Sequence, residues 1–156
     1  MSTVERIWNV LGTPVRDQLV GPCLGIVGSP DFLDLDLVCS FVQTLPADTI
    51  VVSGGARGVD RVAAVAARAR DLRVIEYLAD WDRLGRRAGF LRNLEVVRRC
   101  DRMAAFWDGA SKDISEAIGL ARRQGRPLRI FSPRPSVLAA RAARAAARRA
   151  RALAAG

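Results

Sequence analysis

The residues best suited to chemistry stand in one stretch, Ser53-Gly54-Gly55-Ala56-Arg57-Gly58-Val59-Asp60. It follows the apolar run Ile50-Val51-Val52 and precedes an alanine-rich run that reads as a helix. Glycines let a backbone approach an anion closely and adopt positive φ. The N–H groups of a first helical turn have no intrahelical acceptor and point outward. Gly54, Gly55 and Gly58 are therefore candidates to cradle a phosphate with Ala56 alongside, and Arg57 adds a forked, permanent cation. Asp60 opens the helix, where the dipole explains an acid as well as a ligand contact does. The Gly-Gly-x-x-Gly spacing is not the dinucleotide fingerprint, so the turn also reads as a plain tight connection.

Further candidates recur along the chain. Gly28, Ser29 and Asp31 follow the first apolar run; Asp31 can meet a ribose hydroxyl or cap the next helix. Asp80 and Trp81 open a polar stretch, 80–89, read as a loop. Trp81 and Trp107 can stack on a base or close the core. Arg87, Arg92 and Asn93 lie in and after that stretch, where arginines suit a phosphorylated ligand or form a solvated basic face. Asp108, Gly109 and Ser111 make the turn after Trp107. Glu116 falls one turn into the next helix, within reach of a cleft or simply well placed for the dipole.

The elements that must position these residues alternate. Strands are expected at about 23–27, 49–53, 72–77, 102–107 and 128–131. Helices are expected at 33–45, 59–70, 90–99 and 113–124. That alternation means right-handed βαβ units in an α/β domain. The sheet should be mostly parallel and five-stranded or slightly larger, doubly wound and Rossmann-like, with both faces covered. In such a sheet ligands sit beyond the carboxyl ends of the strands. The turns at 28–31, 54–60, 80–89 and 108–112 all follow strands and should gather on one edge.

Residues 22–133 form this single domain. Residues 1–21 hold a short amphipathic helix, Val4 to Leu11, that packs Trp8 onto the domain or a second subunit. Residues 134–156 are an Ala/Arg-rich helix or tail in which Ser136 can serve as cap. Of the net charge of +9, six arginines come from this tail, and all sixteen acids fall at or before Glu116. The basic excess is thus mostly a tail property, either a solvated helix or a nucleic-acid arm. Its alanine faces and the Trp8 segment are the surfaces for a homo-oligomer. Three scattered cysteines in apolar runs, with no histidine, read as reduced thiols of a cytoplasmic protein and exclude zinc or haem. No signal-peptide pattern and no run of membrane-spanning length occur, so no membrane partner is expected.

Taken together, these stretches resemble the SLOG superfamily of Rossmann-like nucleotide-binding proteins, nearest its YspA-type branch. The resemblance rests on Gly28-Ser29-Pro30-Asp31-Phe32, Ser53 to Asp60, Asp80-Trp81-Asp82, Gly85-Arg86-Arg87-Ala88-Gly89, Arg92-Asn93 and Ala105 to Ser111, and covers about 23–132. It implies a nucleotide or nucleotide-derived phosphate ligand at the strand ends, held by a binding or sensing module. No other cofactor is implied. The Lonely Guy (lysine-decarboxylase-like) family is more distantly similar and releases a base from a nucleoside 5′-monophosphate. Arg92 and Glu116 look like its catalytic arginine and glutamate, which would steady phosphate and stabilise an oxocarbenium ion or activate water. Its Pro-Gly-Gly-x-Gly-Thr is replaced here by Gly109-Ala110-Ser111-Lys112-Asp113-Ile114. Asp113 would repel phosphate at that helix start unless Lys112 or a metal offsets it. Ser53 to Asp60 also resembles the Ser-Gly-x-Ala-x-Gly-Ile-Asp of DprA, which implies nucleic-acid binding with the tail 134–156 as arm.

Overall fold

The computed structural model describes residues 22–155. The expected Val4–Leu11 helix and its Trp8 lie outside those residues. The first strand, β1 (Cys23–Gly28), leads through α1 (Leu35–Gln43) to β2 (Ile50–Ser53), and α2 (Val59–Ala69) leads to β3 (Arg73–Glu76). After β3 come a short helix α3 (Trp81–Leu84), a 3-10 turn (Gly85–Arg87) and α4 (Ala88–Arg99). Then follow β4 (Arg102–Phe106), α5 (Lys112–Arg123), β5 (Leu128–Phe131) and α6 (Pro135–Ala154).

The strands form one sheet in the order β3-β2-β1-β4-β5, and every pairing is parallel. Parallel strands need covered faces, and side chains alternate to supply both. Leu24, Ile26 and Val51 face the layer of α1 and α2, with Val38, Val42, Val59 and Ala63. Cys23, Val27 and Val52 face α4 and α5, with Val96, Val97, Ile114 and Ala117. Each fully buried side chain of this kind is worth roughly 1.5–3 kcal/mol. Phe106 stacks on Phe131 at 4.7 Å and meets Phe32 edge-on at 5.6 Å, closing the α1 side of β4 and β5. Cys100 is buried, and that burial pushes its thiol up to about 11, so it stays protonated.

Several boundaries differ from expectation. The polar stretch 80–89 is mostly helical, because Asp80 caps α3 by accepting from the Arg83 amide at 3.1 Å. The first helix begins later, and its cap is Asp34 rather than Asp31, accepting from the Leu37 amide. Ser136 does not cap α6; Arg134 stands at that position with Pro135 behind it, where a missing N–H costs nothing. The α6 helix buries no residue. Among the described residues no helix is long and apolar enough to cross a membrane.

Candidate functional site

The sheet's order reverses between β1 and β4, and a crevice is expected outside the carboxyl ends at such a point. Four loops meet on that rim. Ser29 Oγ donates to Asp108 Oδ1 at 3.0 Å and accepts from the Asp108 amide at 3.1 Å, tying the exit of β1 to that of β4. A Cβ on Gly58 would stand 3.2 Å from the Pro30 carbonyl oxygen, so the loops after β1 and β2 abut. From the opposite layer, Arg92 on α4 donates from Nη1 to the Gly54 carbonyl at 3.2 Å.

The glycine turn is shaped by these approaches. A Cβ on Gly54 would lie 2.3 Å from Arg92 Cδ and 3.0 Å from Asp60 Oδ2. Gly55 and Gly58 take φ of +67° and +81°, which L side chains rarely adopt. The amides are partly engaged from within: Ala56 N–H donates to Asp60 Oδ2 at 3.3 Å, and Gly55 N–H to Ser53 Oγ at 3.4 Å. The expected cradle of amides at Gly54 to Ala56 is thus partly filled by the protein's own oxygens. The free donors shift to the first turn of α2, whose N–H groups have no helical acceptor. Asp60 is 2% exposed. Burial raises its carboxyl to about 6, against the opposing pull of Arg92 and of the Ala56 and Gly54 amides.

Arg92 is central to this rim. Its Nε donates to Asn93 Oδ1 at 3.4 Å, and Asn93 itself is buried, so it positions Arg92 from below. A Cβ on Gly89 would have Trp81 Cη2 at 3.3 Å, Asp113 Oδ2 at 3.7 Å and Arg92 Nη2 at 3.9 Å. Arg92 thus packs against both glycines, with Asp60 beside it at Gly54 and Trp81 and Asp113 beside it at Gly89. Trp81 is 58% exposed there, a flat apolar surface beside a guanidinium. A cation fixed by a carbonyl, next to an open indole, can hold a phosphate and stack a base.

Other expected residues take structural positions. Gly28 has Val59 where a Cβ would go, 2.3 Å away, so it lets α2 sit tightly on β1. Asp108 accepts from the Ala110 and Ser111 amides at 2.9 Å each. Partial burial pushes its carboxyl up, yet those amides and the Ser29 hydroxyl together hold it below the usual carboxylate range. Trp107 is half-buried, packs on the α4–α5 side and donates Nε1–H to the Ser111 carbonyl at 3.1 Å, closing its loop. Asp31, Arg57, Arg87 and Gly109 are exposed on or near the rim. Glu116 is exposed on α5, and the carboxyls beside Arg92 are those of Asp60 and Asp113.

Two features had no place in the expectations. Leu78 stands against Gly55, whose Cβ would come 2.6 Å from its Cδ2. Buried Asp34 accepts from Arg134 three times, from N at 2.9 Å and from Nε and Nη2 at 2.7 Å each, and so fixes the start of α6 to the start of α1. That bonding holds the Asp34 carboxyl down at about 2. Only the capping role of Asp34 had a sequence signal: it sits four residues before Val38, the first residue of the buried stripe of α1.

A model of the YspA, cpYpsA-related SLOG family matches residues 26–84, from β1 through α3, including the glycine turn. Gene 61 protein of Mycobacterium phage D29 is 35% identical over 106 residues, 64% of this chain and 85% of the phage protein. DNA processing protein A from Helicobacter pylori, whose structure is described for its single-stranded DNA binding mode, is similar with a TM-score of 0.55. That likeness has 19% identity and covers 79% of this chain and 70% of that one. DprA from Streptococcus pneumoniae gives a TM-score of 0.51 at 18% identity, over 74% of this chain and 60% of that one. At such identities the two structures speak for the fold alone.

Proposed function

The chain belongs to the YspA, cpYpsA-related SLOG family, and from that premise we propose that it binds a nucleotide or nucleotide-derived phosphate at the rim around Gly54 and Arg92. The observation that carries the reading is the placement of Arg92. Its guanidinium is held over the glycine turn by the Gly54 carbonyl, beside the exposed ring of Trp81. Phosphate would meet Arg92 and the first-turn amides of α2, while Trp81 would take the base. The residues form a binding or sensing module, since the carboxyls packed at the two glycines are those of buried Asp60 and exposed Asp113 rather than of Glu116. Native mass spectrometry of freshly purified protein, followed by calorimetric titration with nucleoside 5′-monophosphates, tests this. A carried nucleotide or a saturable binding isotherm is expected; no binding across the panel contradicts the reading.

Nucleic-acid binding through residues 134–156 is a second reading, favoured by the three-fold bonding of Arg134 to Asp34. It plants the arginine helix at the same rim as the glycine turn. Arg141, Arg144, Arg148 and Arg151 then fall within roughly 80° of one another around α6, a stripe suited to phosphates. The DprA protein of Helicobacter pylori is described as binding single-stranded DNA.

A further inference from the structure

The outer side of α2 builds a second basic space. Arg61, Ala64, Val65 and Arg68 follow the spacing i, i+3, i+4, i+7 and form one stripe. The core residues Val59, Ala63, Ala66 and Ala67 form another. With Gly55, Ala56 and Arg57 above, and Glu76 and Leu78 across, the outer stripe lines a groove of about 370 Å³. Glu76 pairs with Arg68 at 2.9 Å. Arg57 and Arg61 lie exposed in the same groove, four residues apart, with no acidic partner among the described residues. The one carboxylate of the groove, Glu76, is taken up by Arg68 and pairs with neither of them. Val65 is 60% exposed and Leu78 48% exposed, so the groove also offers apolar surface, for which a merely solvated charged face has no use.

Gly54 and Gly55 are the ridge between this groove and the Arg92 socket. A Cβ on Gly54 would strike Arg92, and a Cβ on Gly55 would strike Leu78. Neighbouring residues of the ridge thus face the two spaces, and one molecule can straddle them. We infer that the groove between α2 and the exit of β3 is a second anion subsite. It takes the second nucleotide unit of a phosphate-linked dinucleotide whose first unit occupies the Arg92 socket. Arg57 and Arg61 hold the second phosphate, and Val65 and Leu78 cover the sugar and base. The inference rests on the nucleotide reading of that socket and specifies its ligand class. The dinucleotide is either free or the end of a nucleic-acid chain.

The test is calorimetric titration of the full chain and of Arg61→Glu at moderate salt. The probes are the adenosine, guanosine, cytidine and uridine 5′-monophosphates and the matching 5′-phosphorylated dinucleotides. Two linked units should bind about tenfold tighter than one or better. Arg61→Glu should remove the dinucleotide's tenfold advantage while weakening the mononucleotide, whose phosphate meets the neighbouring first-turn amides, by a clearly smaller factor, with the thermal melt as a check on folding. A dinucleotide that binds no tighter than its mononucleotide overturns the subsite. Equal weakening of both ligands by Arg61→Glu overturns it too, since a general field effect would do that. Absence of all binding removes the Arg92-socket reading and this one with it. A 5′-phosphorylated oligonucleotide separates the sources: further affinity that Arg61→Glu also removes assigns the nucleic-acid end, and equal affinity assigns the free dinucleotide.

Discussion

The Arg92 socket and the α6 helix present positive charge in opposite ways. Arg92 is half-buried, fixed by Gly54 and Asn93, and flanked by the carboxyls of Asp60 and Asp113. The arginines of α6 are all exposed and share one anchor, the Arg134–Asp34 pairing at the start of the helix. In the socket, direction and desolvation decide what binds, and salt screens little of it. On the helix only the number of charges matters, and counterion release makes that attraction salt-dependent. On the proposed function the chain separates recognition from general attraction, and the two can be removed one at a time.

The largest effect is expected from Arg92→Ala. Charged hydrogen bonds to phosphate are worth about 1.5–3 kcal/mol, so nucleotide affinity should fall roughly tenfold to a hundredfold by calorimetry. Attraction of single-stranded DNA at low salt should barely change. Equal loss of both would merge the two regions into one surface.

The next effect lies in pH. Asp60, with a folded pKa of about 6 against an ordinary 3.8, holds its proton more tightly in the folded state. Stability should therefore fall as pH rises from about 4 to about 6, by roughly 3 kcal/mol, and then level off. Asp60→Asn should flatten that slope in urea melts. Asp34 at the foot of α6 behaves oppositely, with a folded pKa of about 2. Its contribution is full above about 4 and is lost as pH falls through 2. Two buried carboxyls, one per region, thus carry opposite signs.

A smaller effect follows deletion of 135–156. Affinity for single-stranded DNA at low salt should drop about tenfold, with the salt slope shallower by about three for four lost phosphate contacts. Mononucleotide binding should be unchanged. Glu116→Gln should do least, altering neither ligand's affinity beyond twofold, because the exposed Glu116 stands a turn farther from the rim than Asp113, about 4.5 Å along α5.

The sheet was legible because β1, β2 and most of β4 are uncharged, largely apolar runs, and the two-residue period of Leu24 to Val27 covers both faces. The gathering of loops was legible too, since every turn after a parallel strand ends on one edge. What stayed hidden depends on which way side chains point. Asp60 reads equally as a dipole-placed acid or a ligand contact, and only the fold turns it back onto the Ala56 amide. Counting along α5 picks out Glu116, whereas the fold packs Asp113 and Arg92 against the same glycine, Gly89. Trp107 and Trp81 look alike in sequence; the Ser111 carbonyl claims the first and leaves the second open. The Arg134–Asp34 pairing spans a hundred residues, beyond any local pattern.

Amide and indole chemical shifts followed while a nucleoside 5′-monophosphate is titrated into the 15N-labelled protein test the central claim most directly. Shifts concentrated at Gly54 to Arg61, Gly89 to Asn93 and the Trp81 indole are the predicted result. Shifts confined to α6, or to the opposite end of the sheet near Leu45 and Arg102, would contradict it.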